Sequence, residues 1–126
     1  MKLFIAISIF LSSAICMGQV AEFSFLDKTT VKFDKTPEGE LLKHYFVFTN
    51  TGDIPLTIND AKVTCSCTNV EFPTSPIPPN ATDSIKVTFD TNGKFYYQDR
   101  VIELIANTKK NQKLKLKVYV IPKEED

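Results

Sequence analysis

Apolar and polar side chains alternate residue by residue through almost everything after position 18. A chain patterned this way forms strands, because only a pleated backbone sends successive side chains to opposite faces. The pattern is cleanest from Lys113 to Val120, where Leu114, Leu116, Val118 and Val120 oppose Lys113, Lys115, Lys117 and Tyr119. Ser84 to Phe89 repeats it with Ile85, Val87 and Phe89 opposed to Lys86 and Thr88. From Leu42 to Thr49, Leu42, His44, Phe46 and Phe48 share one face against Tyr45 and Val47, and Phe23/Phe25 and Val31/Phe33 mark two short strands before it. Arg100 to Ala106 is apolar on both faces apart from Arg100 and Glu103, the pattern of a central strand covered on each side. Between Leu56/Ile58 and Ala61, Val63, Cys65 and Cys67 the parity changes, which requires an inserted residue or a turn near Asn59-Asp60. Both cysteines then share a buried strand face with Val63.

Turn residues separate these runs at Pro37-Glu38-Gly39, Asn50-Thr51-Gly52-Asp53, Pro76 to Asn80 and Asn92-Gly93. No window after the leader carries an apolar stripe at helical spacing. About seven short strands in about 105 residues predict an all-β chain, a small sandwich of immunoglobulin-like size. The chain has no Trp and no distant cysteine pair to bridge two sheets, so it is not an antibody-type domain.

The first 18 residues follow another plan. Lys2 precedes the largely apolar run Leu3 to Leu11 and then the small residues Ser12, Ser13 and Ala14. This is the layout of a secretory signal, and the run is far shorter than the roughly 20 residues that span a bilayer. The expected segments are a signal peptide at 1–18, one sandwich domain at 19–121 and a charged end at 122–126. Cleavage after Gly18 competes with cleavage after Cys16. Lipid anchoring through Cys16 is the weaker alternative, because bulky Ile15 precedes it. The location predicted is periplasmic or extracellular. Removing Lys2 takes Lys+Arg from 15 to 14 against 15 acidic residues, which leaves no basic field for nucleic acid and no transmembrane segment in the mature chain. Lysines crowd the C-terminal strand, but they alternate with apolar residues as a solvated face does.

An ordered set of short stretches, Val31-Lys32-Phe33-Asp34, Glu38-Gly39-Glu40, Phe46 to Leu56, Cys65-Ser66-Cys67-Thr68, Pro76-Ile77-Pro78-Pro79 and Ile85 to Thr91, resembles the DUF1573 family of secreted bacterial proteins. The resemblance runs from about Phe23 to Val120. It implies an immunoglobulin-type sandwich related to the major-sperm-protein and ASPM/SPD-2/Hydin modules, non-enzymatic, with protein binding or scaffolding as its role. Three departures stand out. Ser66 replaces the glycine usual between the cysteines, Asn80 replaces a turn glycine while still tolerating left-handed geometry, and Lys94 to Asp99 replaces a more polar, glycine-containing stretch.

Two groups of residues are candidate sites. With the leader gone, Cys65 and Cys67 are the remaining thiols, and three readings stay open: a disulfide, a pair of buried inert thiols, or a metal or redox site. In an extended strand their Cα atoms stand about 6.6 Å apart, near the upper limit for a disulfide, so a bridge needs a contracted backbone. A metal site would draw on Cys65, Cys67 and His44, the one histidine; both methionines fall in the leader. The one-residue spacing, with no helix N-terminus near, argues against a thiol oxidoreductase. No catalytic trio, carboxylate pair or phosphate loop is visible, and no cofactor is expected. The second group is Phe95, Tyr96 and Tyr97 with Arg100. Three consecutive aromatics cannot all enter one face, so at least one should be exposed as a partner-binding surface for a protein or peptide of the cell envelope. The expected function is a non-enzymatic exported binding or scaffolding domain, with thiol-redox or metal handling as the alternative.

Overall fold

A computed structural model describes residues 19–124. The expected leader, including Cys16 and both cleavage positions, and the last two residues lie outside the described residues. Among the described residues, nine strands form two sheets with no helix between them. The first sheet has the order β1 (Phe23–Phe25), β4 (Leu41–Asn50), β7 (Thr82–Asp90), β6 (Thr68–Glu71). The second runs β2 (Thr30–Lys32), β9 (Gln112–Ile121), β8 (Tyr96–Ala106), β5 (Ile58–Val63), with β3 (Thr36–Pro37) also on β9. This is an immunoglobulin-like β-sandwich.

Alternation accounts for the core. Phe46, Phe48, Ile85, Val87 and Phe89 of one sheet meet Ile102, Leu104, Leu114, Leu116, Val118 and Val120 of the other, all at or near zero exposure. The parity change after Ile58 is a bulge, where the β5–β8 register shifts between Ile58 and Asp60. Asn80 takes the left-handed backbone foreseen for it, at φ 67°.

Three expectations are corrected. The described residues form nine strands, because Thr36–Pro37 pairs with the end of β9 and Thr68–Glu71 forms a separate strand on β7. β8 is central by pairing but covered on one face only: Val101 is exposed and the sandwich has just two layers. β-branched residues suit an outer face as readily as a buried one, and that produced the two-sided pattern. Third, Cys65 and Cys67 do not extend β5. The strand ends at Val63, itself exposed, and the cysteines form the turn that carries the chain from one sheet to the other.

The loop segments at one end of the sandwich are tied together by Asn50, which is fully buried. Its side chain accepts from the Glu22 and Gly52 N–H groups (3.2 and 2.9 Å) and donates to the Ile54 and Ile77 carbonyls (2.8 and 3.0 Å). Gly52 is required here because a Cβ would run into the Val20 carbonyl and the Ala21 Cα. At one side of the sandwich the chain changes sheets: β1 leaves β4 after Leu26, bends between Leu26 and Thr29, and continues as β2 along β9.

Candidate functional site

At the start of β8 the alternation breaks. Tyr96 adopts φ 64°, a left-handed backbone that costs a bulky L-residue roughly 1–2 kcal/mol. Phe95, Tyr96 and Tyr97 are 50%, 58% and 86% exposed. The rings are nonetheless arranged around Tyr119 of β9, with Tyr97 edge-on at 4.8 Å and Tyr96 tilted at 6.1 Å between centroids. Lys35 places its Nζ 5.5 Å from the Tyr119 ring. Below this group the outer face of the second sheet and the β2–β3 connection enclose a cleft of about 530 Å³, bordered by Phe33, Lys35, Tyr97, Asp99, Lys117 and Tyr119. Lys117 and Asp99, paired side by side on β9 and β8, form an ion pair at 3.9 Å on its wall. Tyr119, Lys35 and Phe33 are not among the site residues that the sequence pattern selects. The signal for Tyr119 was present, as the lone aromatic among the lysines of β9.

Arg100 is not part of this surface. It lies on the inward side of β8, its guanidinium 5.3 Å from the Phe89 ring and bonded to the Gln98 Oε1 and the Asp99 carbonyl (2.6 and 2.8 Å). Its Nε is buried without a partner among the described residues. Period two explains the separation, since Arg100 and Tyr97 are three residues apart and therefore point to opposite faces.

The Cys65 and Cys67 sulfurs are joined in a disulfide across a turn, with Cα atoms 5.1 Å apart. The turn supplies the contraction that an extended strand lacks: the Thr68 N–H donates to the Cys65 carbonyl (3.1 Å), and the Asp90 N–H holds the Cys67 carbonyl (2.9 Å). Both cysteines are half-buried, and Cys67 packs against the core. His44 lies elsewhere. Through the ladder Leu42–Phe89–Thr68 it stands two strands away and three residues along from Cys67, roughly 14 Å by strand geometry. The three-residue metal set is therefore not brought together. His44 packs edge-on against Phe46 (4.6 Å) and Phe33 (6.3 Å). Desolvation lowers its pKa from the ordinary 6.5, partly offset by the negative charge of Asp27.

A family model for a protein of unknown function, DUF1573, matches residues 24–120. The chain belongs to the DUF1573 family. Among solved structures, a protein of unknown function from Porphyromonas gingivalis W83 superposes with a TM-score of 0.70 at 16% identity, covering 84% of this chain and 50% of that one. This DUF1573 chain thus spans half the length of that protein. The ASH/PapD-like domain 7 of human CEP192 superposes at 0.64 with 11% identity, covering 97% and 100% of the two chains. The periplasmic chaperone SfaE does so at 0.56 with 13% identity, covering 82% and 59%. At these identities the likeness is one of fold. No curated protein sequence matches the chain.

Proposed function

We propose that this DUF1573 protein is an exported, non-enzymatic binding module that holds a protein or peptide of the cell envelope against the Tyr97–Tyr119 cleft and the adjoining Tyr96 ring. The observation that carries this reading is Tyr96. A left-handed backbone persists where a glycine-containing stretch was expected, and the residue occupying it is a tyrosine whose ring is displayed to solvent. A strained residue of that kind is kept where the ring has a use. Tyrosines offer rigid contact area at low entropic cost, and Lys35 and Lys117 beside them supply charge at the rim. The leader-like residues 1–18 and the likeness in fold to a periplasmic chaperone support export and a protein partner.

Site-specific photocrosslinking tests this. A benzophenone residue at Tyr97 should give a discrete adduct in intact cells, and the same group at Lys109, exposed at the far end of the sandwich, should give none. Equal labelling from both positions, or none from Tyr97, refutes the proposal.

A second reading, thiol exchange at Cys65–Cys67, draws on the half-buried turn and on Arg100. Val63 and Ile102 form the last pair of the β5–β8 ladder, Arg100 lies two residues beyond Ile102 toward the turn that follows β5, and its cation on that side would favour a thiolate once the bridge is reduced. Equilibration with defined glutathione buffers, followed by thiol trapping, decides it. Exchange requires a bridge that opens within the range of biological thiols.

A further inference from the structure

The departure of β1 leaves part of β4 without a neighbour. β1 pairs with β4 from Asn50 to Phe48, and the last bond is the Leu26 N–H to the Val47 carbonyl (3.0 Å). Because backbone polar groups alternate in direction along a strand, the odd-numbered residues of β4 face the β1 side and the even-numbered ones face β7. The N–H and C=O groups of Leu41, Lys43 and Tyr45 therefore point outward, and among the described residues none of them has a partner. Two depressions adjoin this edge. One, of about 230 Å³, lies where β1 would have continued and is bordered by Leu26, Asp27, Lys28, His44, Tyr45 and Val47. The other, of about 500 Å³, opens inward between the sheets and is lined by Asp27, Lys28, Thr30, Val31, Lys32 and His44.

We propose that the free edge of β4 from Leu41 to Tyr45 accepts an extended peptide strand carrying one acidic residue between two apolar ones. The pattern follows from where each peptide side chain must go. The residue opposite His44 shares its face and enters the inner depression. There Lys28 and Lys32 outnumber Asp27, whose Oδ1 already accepts the Lys28 N–H (2.7 Å), so an acidic side chain complements the site. Its two neighbours, opposite Lys43 and Tyr45, lie on the outer face. Around them Leu26, Leu41 and Tyr45 are 67%, 63% and 52% exposed and offer apolar surface. Main-chain bonds to Leu41, Lys43 and Tyr45 give the strand its hold, and the side-chain pattern gives it selectivity. This edge belongs to the first sheet, whereas Tyr97 and Tyr119 belong to the second, so the two surfaces stand or fall separately.

The test is a fluorescence-anisotropy titration of the protein, purified from the envelope of an expressing cell, with a labelled peptide Thr-Ser-Thr-Leu-Glu-Leu-Thr-Ser-Thr. Saturable binding is expected, at least tenfold weaker for the same peptide with Lys in place of Glu. Methylating the amide nitrogens of both leucines, whose polar groups face β4, should abolish it. In Lys28→Glu/Lys32→Glu, exposed residues whose exchange spares the core, the preference should reverse to the Lys peptide. Absence of saturation, indifference to N-methylation, or amide shifts centred on Tyr97 and Tyr119 instead of Leu41 to Tyr45 would overturn the proposal. So would a dimer, seen by sedimentation, that Lys43→Pro dissociates, since the edge would then belong to a second copy.

Discussion

Asn50→Ala should be the most damaging single change of a polar residue in this sandwich. The side chain makes four hydrogen bonds to backbone groups of three segments: Glu22, the Gly52–Ile54 loop and Ile77. Alanine removes every one and leaves those groups facing a closed end. At about 1 kcal/mol for each bond, the loss is about 4 kcal/mol, a large part of the 5–15 kcal/mol typical of a domain. Urea unfolding at 25 °C reads it directly. With a slope of about 1.5 kcal/mol/M, the midpoint should fall by roughly 2.5 M with the slope unchanged. Asn50→Asp keeps the two accepting bonds but sets a carboxylate against the Ile54 and Ile77 carbonyls. It should be as destabilised as the alanine variant at neutral pH and regain stability as the pH falls and the acid gains a proton to donate. Thr49→Ala, which removes an exposed hydroxyl pair with Thr82 (2.8 Å), serves as the control and should cost under about 0.5 kcal/mol. A loss below about 1 kcal/mol for Asn50→Ala would refute the view that this side chain joins the segments.

Tyr96→Gly should stabilise the fold by about 1 kcal/mol, seen as a higher urea midpoint, because glycine occupies φ 64° without strain; an unchanged or lower midpoint contradicts the strain. Cys65→Ser/Cys67→Ser opens a three-residue ring, for which loop entropy predicts a loss of only about 1.6 kcal/mol, so the variant should still fold cooperatively. His44 has its pKa depressed by burial, so the unfolded chain binds its proton first: stability is full above the unfolded value of 6.5 and declines as the pH falls toward the folded value. His44→Gln should flatten that part of the stability–pH curve, and an unaltered slope would place the titration elsewhere.

Much of this fold is legible from side-chain parity alone. The strands of Leu42 to Thr49, Ser84 to Phe89 and Lys113 to Val120 bury the residues their alternation selects, and the parity change at Asn59-Asp60 is a bulge. What parity does not carry is the point at which a chain leaves its sheet. Val63, Cys65 and Cys67 keep the rhythm of a strand through a turn, so the cysteines read as buried strand residues and Thr68 to Glu71 went unnoticed. Tyr96 gives no local sign of a left-handed backbone, because glycine and asparagine are the residues that normally announce one. That single dihedral is why Tyr96 is displayed beside Phe95 and Tyr97, where alternation would have turned it inward. The separation of Arg100 from Tyr97 needed nothing beyond counting by twos. Asn50 sits within a recognisable turn, but its reach to Glu22 and Ile77 depends on segments far away in sequence.

The parallel register of β2 with β9 has a mechanical consequence. Thr30 to Lys32 lie beside Lys115 to Lys117 running in the same direction, with Thr36 and Pro37 beside Val120 and Ile121. Tension applied between the two chain ends, once β1 has yielded, would slide these strands lengthwise, loading their cross-links together instead of unzipping them in turn. A molecule tethered at its front and tugged from its rear would therefore rupture late and abruptly.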